Sequence, residues 1–186
     1  ITDCFDVIKG WHNNKTDNIE TGIPNPTVVN MSWGYSTTFT NASITAINYR
    51  GVSYTGGDID TAGERESNYG LMEYESTAGV YNANVRILSI DTDIDEMIDA
   101  GIHITIAAGN RGNKCDVPGG TDYNNYLTRG GEDVYYHRGS SPNSEGAILV
   151  GNIDSSVQSA TQDRKAVSSE CGPGVDIYAA GTNIMS

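Results

Sequence analysis

Long apolar runs are the first thing that this 186-residue sequence lacks. No stretch approaches the ~20 apolar residues that a bilayer-spanning helix needs. Residues 1–20 also lack the basic start and apolar core of a signal peptide. The chain opens with Ile1 rather than Met, as a mature product or a proteolytic piece would. We therefore predict a soluble protein without a membrane partner, and its compartment stays open, with secretion or an extracellular assembly among the readings.

Basic residues are also scarce in this sequence. Eleven Lys and Arg residues stand against 24 Asp and Glu residues, which gives a formal net charge of −13. Such a surface repels the phosphates of nucleic acids and of anionic membranes. Nucleic acid is therefore excluded as a partner. The acidity suits divalent cations, although solvation of the surface is the commoner explanation.

Cysteine is also scarce, with three residues at Cys4, Cys115 and Cys171. They form neither a metal-binding spacing nor a CxxC pair, and at most one disulfide is possible. The favoured reading is three separate thiols packed as small apolar groups.

Short apolar segments that alternate with helical patterns are what the sequence does contain. Apolar spacing predicts helices over residues 3–13 and from Asp93 to Gly101, and strands over 27–32, 102–108, 147–153 and 175–180. Residues 85–90 fit a strand or an extended segment. Strands that alternate with helices indicate parallel pairing through right-handed crossovers, and the length suits one domain.

Two long segments, 35–84 and 111–140, are rich in Gly, Asn and Tyr and have weak apolar periodicity. In the first we predict a hairpin with a turn at residues 48–51, followed by loops. The second is interpreted as a long polar segment containing Gly130 and Gly131. Both are treated as loop insertions, and long loops are often functional.

Four further segments carry a more specific signal. They are Asn30-Met31-Ser32-Trp33-Gly34, Ala107-Ala108-Gly109-Asn110, the segment 141–154 and the segment 172–186. In this order they resemble the substrate-binding half of the subtilisin-like serine proteases, with Ala180 where that family has proline. The resemblance implies an α/β, subtilisin-like fold with a mainly parallel buried sheet, flanking helices and long loop insertions, in which residues 1–186 form one partial peptidase domain.

Asn110 is the central candidate, because it closes an apolar run that reads as a buried strand. Ligands gather at such strand ends, and a fixed carboxamide can donate to the oxyanion of an acyl-transfer reaction. The competing reading is a turn asparagine, since Gly-Asn is ordinary turn chemistry. The resemblance implies an oxyanion donor at Asn110, peptide pairing at Ser32, Trp33 and Gly34, and a pocket floored by Ala107, Ala108 and Gly109. Trp33 lies at the pocket rim or packs in the core.

The catalytic motifs of that family do not occur in this chain. Its HGTH, GTSMA and Asp-Thr/Ser-Gly strings are missing, and Ser186 belongs to a segment that precedes the nucleophile in the family. His12, His103 and His137 have no serine or cysteine placed beside them by a recognisable motif, which disfavours another triad.

Two functions follow as expectations. The first is the middle part of a serine endopeptidase that hydrolyses peptide bonds of an extended polypeptide substrate, inactive alone and completed by further segments or subunits. The second is a non-catalytic structural or binding protein on the same scaffold, since fold does not guarantee function.

Calcium is the one implied cofactor. Asp91, Asp93 and Asp95 resemble the start of a calcium loop, but Glu96 and Ile102 occupy positions that an EF-hand requires to be Gly and Glu. The family resemblance instead implies a structural calcium ion at Asp176, helped by carbonyls around residues 145–147. Otherwise Asp176 is simply an acidic residue at a strand start.

Overall fold

The computed structural model describes residues 2–75, 77–154 and 164–182. Ser186 lies outside these ranges. The helices are α1 (Thr2–Asn14), α2 (Arg65–Tyr69) and α3 (Leu88–Asp99). The strands are β1 (Val28–Met31), β2 (Ser36–Thr40), β3 (Ile44–Tyr49), β4 (Val52–Thr55), β5 (Val80–Asn84), β6 (His103–Ala107), β7 (Tyr126–Arg129), β8 (Glu132–Tyr135), β9 (Ile148–Ile153) and β10 (Ile177–Ala180).

A four-stranded parallel sheet forms the first layer, in the order β1-β6-β9-β10. This confirms mixed α/β content, the parallel pairing and the four predicted strands. The prediction of mainly parallel strands is wrong for the described chain, because the other six strands pair antiparallel. Alternation along β6 turns Ile104 and Ile106 into a core with Phe5 of α1 and Met97 of α3. His103 alternates with Ile102 and Ile104, and it is exposed on the other face.

Helix α3 begins at Leu88, so the predicted start at Asp93 is too late, and a strand over residues 85–90 is wrong for its last three residues. Tertiary contacts explain the earlier start. The Ile87 amide donates to Ser141 Oγ at 2.6 Å. Arg86 Nε lies 2.7 Å from Asp91 Oδ2, which ties the incoming chain to the first helical turn.

The two long segments are not irregular loops, because they fold together into an antiparallel sheet of order β4-β3-β7-β8. The predicted turn at residues 48–51 is confirmed, with Arg50 and Gly51 at φ 51° and 81° between β3 and β4. Sequence analysis missed the second hairpin, β7–β8, which turns at Gly130 and Gly131. Both glycines have positive φ, as type I′ turns require. Strands β2 and β5 form a separate antiparallel pair.

A second core lies under the antiparallel strands and is rich in aromatic residues. It consists of Phe39, Ile44, Ile47, Tyr69, Leu71, Tyr81, Ala83, Leu127 and Tyr136. The three cysteines are unpaired thiols, as predicted, but only Cys115 is packed in the interior. Cys4 is exposed and Cys171 is half-buried, so the prediction that all three pack as small apolar groups is wrong. Within the described ranges, no helix combines the length and apolar character needed to cross a bilayer.

One face of the parallel sheet is left open by the described residues. On it, Val28, Ile148 and Ile177 are 65%, 48% and 53% exposed. The register places these strands' outward residues side by side, for example Val28 beside His103 and Ile177 beside Val150. Parallel sheets are normally covered on both faces. We call this surface the open face.

Candidate functional site

Strands β1 and β6 end together at one edge of the parallel sheet. Met31 is paired with Ile106, so Ser32 and Ala107 leave the sheet side by side. The carboxyl edge of a parallel sheet is where ligands bind in open α/β folds. The structure thus brings the predicted residues of both segments to one place.

A cavity of about 400 Å³ separates these two segments. We call it the Glu170 cavity. Of the predicted residues, its lining includes Ser32, Trp33, Gly34, Ala107, Gly109 and Asn110, and to these the structure adds Tyr35, Ser36, Asn84, Arg111, Ser140 and Glu170.

The segment Ser32–Trp33–Gly34 has unused backbone hydrogen-bonding groups. Sheet pairing stops at Met31, and the next backbone bond of this segment is from the Tyr35 amide to the Ser141 carbonyl, at 3.2 Å. Among the described residues, no backbone group forms a hydrogen bond with the backbone of residues 32–34. An extended peptide can form backbone hydrogen bonds with such unpaired peptide groups and so add as a further strand. We call residues 32–34 the ribbon.

Gly34 also lies close against the far wall of the cavity. A Cβ at this position would come within 2.7 Å of Ser140 Oγ. A side chain here would therefore require the Ser140 hydroxyl to turn away.

Asn110 is exposed, and its carboxamide has no hydrogen-bond partner in the described part of the chain. Its side chain therefore makes no hydrogen bond that would close a local turn. Asn110 lines the Glu170 cavity and also a second cavity of about 360 Å³ at the ends of β6, β9 and β10. Its two N–H groups are available to a ligand in either space.

The three small residues before Asn110 do not share one role. Ala107 and Gly109 line the Glu170 cavity, whereas Ala108 does not. Ala108 is 2% exposed and packs in the core with Ile106, because alternate residues of an extended chain face opposite sides. It reaches only the second cavity.

Trp33 fulfils both predicted alternatives. It is partly buried and packs against the first core, with its ring edge-on to Tyr35 at a centroid distance of 5.7 Å. It also lines the Glu170 cavity.

Glu170 is the residue at this site that sequence analysis missed. Its side chain is fully buried, and Oε1 accepts a hydrogen bond from Asn84 Nδ2 at 3.3 Å, while Oε2 has no partner among the described atoms. Burial raises the pKa of Glu170 to about 7 against the opposing effect of hydrogen bonds from Asn84 and Asn113. A short Ser-Ser-Glu-Cys-Gly stretch gives no periodic signal that would mark one acid as buried.

Gly109 is what allows Glu170 to approach the strand end. With φ at +117°, Gly109 adopts a backbone conformation that other residues rarely take, and a Cβ there would lie 2.7 Å from Glu170 Oε1. The glycine therefore serves two requirements at once: the turn towards Asn110 and the space for the carboxyl group.

Asp176 lies in a different cavity of about 400 Å³, with Glu145 and Ala147. The predicted neighbourhood is thus present, but Asp176 Oδ2 already accepts the Leu149 amide at 2.7 Å, and Arg86 and Arg138 share the same lining. Across the described ranges, no group of three or more His, Cys, Asp or Glu side chains is placed to hold a metal. Calcium prefers six to eight oxygen ligands, so these residues fit it poorly.

The histidines have structural surroundings. His137 is 2% exposed and bonds through its two ring nitrogens with the Gly70 carbonyl and Asn125, at 3.1 Å each. Burial lowers the pKa of His137. His12 Nδ1 lies 2.9 Å from Thr27 Oγ1, near the end of α1. Neither histidine faces the strand ends that carry Asn110.

Comparison of the chain with protein-family models, with curated proteins and with solved structures finds no match.

Proposed function

We propose that this chain is the peptide-binding part of a subtilisin-like serine endopeptidase. The carrying observation is that the unpaired ribbon and Asn110 line the same cavity, the Glu170 cavity. The acid, the histidine and the serine would come from further segments or subunits. Peptide-bond hydrolysis would then proceed by acyl transfer.

Each residue has a distinct part in this proposal. An extended peptide pairs through its backbone with residues 32–34, as in strand addition. Ala107 and Gly109 present little side-chain bulk, so a substrate side chain can enter the Glu170 cavity beside β6. The carboxamide of Asn110 donates to the carbonyl oxygen as negative charge develops on it.

The open face supports the idea that further segments complete the site. It exposes Val28, Ile148 and Ile177, which are apolar residues that a covering layer would bury. The second cavity opens beside these strands and is also lined by Asn110. A segment packed there would bring its own side chains next to the proposed oxyanion donor.

A non-catalytic scaffold is the alternative, and the antiparallel sheet is the observation that favours it. That sheet buries its own aromatic core and forms no part of the Glu170 cavity lining. A binding or structural role would need only such a well-packed extension. The coding sequence on either side separates the two ideas, because the enzyme needs HGTH upstream and GTSMA downstream.

The decisive test of the enzyme proposal uses the polypeptide that carries this chain together with those segments. We expect labelling by a fluorophosphonate, and we expect Asn110→Ala to lower kcat by roughly 10²- to 10³-fold with a small effect on KM. That magnitude comes from the corresponding asparagine of subtilisin. Asn14→Ala, at an exposed site in α1, serves as the matched control.

Full kcat in the Asn110→Ala enzyme would remove the oxyanion role. No labelling of a folded polypeptide that carries both flanking motifs would overturn the peptidase proposal and leave the scaffold alternative.

A further inference from the structure

Glu170 is one of only two formally charged residues among those that line the Glu170 cavity, and the other is Arg111. Arg111 is already engaged elsewhere. Its guanidinium lies 3.0 Å from Glu75 Oε1 and 4.6 Å from the centre of the Tyr74 ring. No salt bridge of Glu170 is present in the described structure. Among the described residues, Glu170 therefore has no cation paired with it, and the Arg111 of the same cavity is paired with Glu75.

Hydrogen bonds from the side chains of Asn84 and Asn113 and from the backbone of Arg111 and Asn113 act on the carboxyl group of Glu170, but none of them supplies a positive charge. Oε2 is inaccessible to solvent and has no hydrogen-bond partner among the described atoms. Nearby, the buried Asn82 accepts a hydrogen bond from Asn113 at 3.5 Å, but its own Nδ2 is also unpartnered. Buried polar groups normally have partners, and leaving them without one is costly. The unpartnered atoms of Glu170 and Asn82 indicate that a bound ligand supplies a hydrogen-bond partner here.

The remaining titratable groups near Glu170 cannot supply that partner. Cys115 and Cys171 are free thiols, a group that does not carry a positive charge. Burial raises the pKa of Cys115 to about 12, so this thiol is also not an anion near neutral pH. Tyr178 donates its hydroxyl to the Glu170 backbone carbonyl at 3.3 Å, which leaves the carboxyl group unaffected. None of these groups therefore offers Glu170 a positive charge.

We propose that Glu170 makes this cavity select a lysine or arginine side chain of the bound peptide, at the residue preceding the scissile bond. This inference rests on the proposed function for the position of that residue. Because Oε2 has no solvent-accessible surface in the described structure, pairing with a cationic head requires the Glu170 side chain to turn towards the cavity that it lines. The aliphatic stem of the bound side chain would then pass Trp33 and Ala107. A neutral apolar side chain would leave Oε2 without a partner, and an acidic one would face a like charge.

Binding of the cation is coupled to the release of a proton from Glu170. With a pKa of about 7, Glu170 is partly protonated near neutrality, and a bound cation favours its ionised form. The proton leaves to solvent as the ion pair forms. Affinity for a basic group should therefore rise as the pH rises through about 7, while affinity for a neutral group should not.

The test measures binding to the 186-residue chain itself. N-acetyl-argininamide is compared with N-acetyl-citrullinamide, a neutral isostere, by NMR titration of the Gly109, Asn110 and Glu170 amides. Above the pKa of about 7, we expect the cation to bind about 10- to 100-fold more tightly, the range of a hydrogen bond to a charged group. Glu170→Gln should bring that ratio close to one, and Glu132→Gln, at an exposed site in β8, should leave it unchanged.

The outcomes are separable from those of the peptidase test. Equal affinities for the two probes on the wild-type chain, or an unchanged preference in Glu170→Gln, would overturn the inference. If Glu170→Gln does not fold, the wild-type comparison and its pH dependence still decide. Selective binding of the cation without labelling by a fluorophosphonate would support the pocket and reject the peptidase, and labelling without cation preference would do the reverse.

Discussion

Asp122 and Glu170 are both buried carboxyl groups, and they lie in opposite electrostatic surroundings. Asp122 belongs to the region of the antiparallel sheet, where Arg50 Nε lies 2.6 Å from Oδ1 and Asn125 Nδ2 donates at 3.0 Å. Lys114 Nζ also contacts it. These partners hold the pKa of Asp122 well below its usual range, whereas burial without a cation raises that of Glu170 to about 7.

The contrast separates a structural carboxylate from a candidate recognition group. Asp122 forms a cluster with Arg50, Lys114 and Asn125, which we call the closed cluster because both cations come from the protein itself. This cluster joins the end of β3 to the segment before β7. Glu170 instead has no cation: one of its carboxyl oxygens is buried without a hydrogen-bond partner among the described atoms, its residue lines a cavity, and Gly109 makes room for it.

The largest expected effect comes from breaking the closed cluster. Asp122→Asn should lower the free energy of unfolding near neutral pH by about 2–4 kcal/mol, because two cations and one amide lose an ionised acceptor. Urea denaturation measures this, with Asp133→Asn in β8 as the exposed control. A loss as small as that of the control would show that the cluster is not what stabilises this region.

The contributions of Asp122 and Glu170 to the free energy of unfolding should depend on pH with opposite signs. The lowered pKa of Asp122 adds stability that is present above the unfolded pKa of about 3.9 and is lost as the pH falls below it. The raised pKa of Glu170 adds stability that is complete below the unfolded value of about 4.3 and is lost as the pH rises through about 7.

Glu170→Gln isolates the second effect. We expect it to match the wild-type chain below about pH 4 and to become more stable by about 1–3 kcal/mol above pH 7, since glutamine cannot ionise. Denaturant unfolding of both chains across this range measures the difference. A variant that is less stable than wild type at high pH would mean that the carboxylate already has a partner.

The smallest effect is expected at Asp176, an exposed carboxylate with one backbone donor. The calcium site predicted there has few oxygen donors within reach, so any binding should be weak, with a Kd of about 10⁻⁴–10⁻³ M. Chelator should then lower the Tm by only a few degrees, and Asp176→Asn should abolish that response. No change of Tm with chelator would eliminate the calcium prediction.

Much of the first region could be predicted because its residues repeat at regular intervals. The apolar runs 27–32, 102–108 and 147–153 became parallel strands, and the position of Asn110 at a strand end followed from the second of them. The helix start at Leu88 could not be predicted, because it depends on Ser141, 54 residues away in the sequence.

The second region was harder for a physical reason. Strands β7 and β8 are half polar, and their pairing with β3 depends on contacts across some eighty residues. Glu170 was missed for the same reason, since its burial is created by Gly109 and Asn84 rather than by its neighbours in sequence. Local patterns do not contain such information.

The central claim is that an extended peptide docks on the ribbon with a carbonyl facing Asn110. The most direct measurement is an NMR titration of the chain with an extended arginine-containing peptide, combined with amide hydrogen exchange. The account predicts slower exchange of the Ser32 and Gly34 amides and a shift of the Asn110 side-chain NH₂ signals. Unchanged exchange in the ribbon, with shifts confined to other surfaces such as the β3–β4 hairpin, would contradict it.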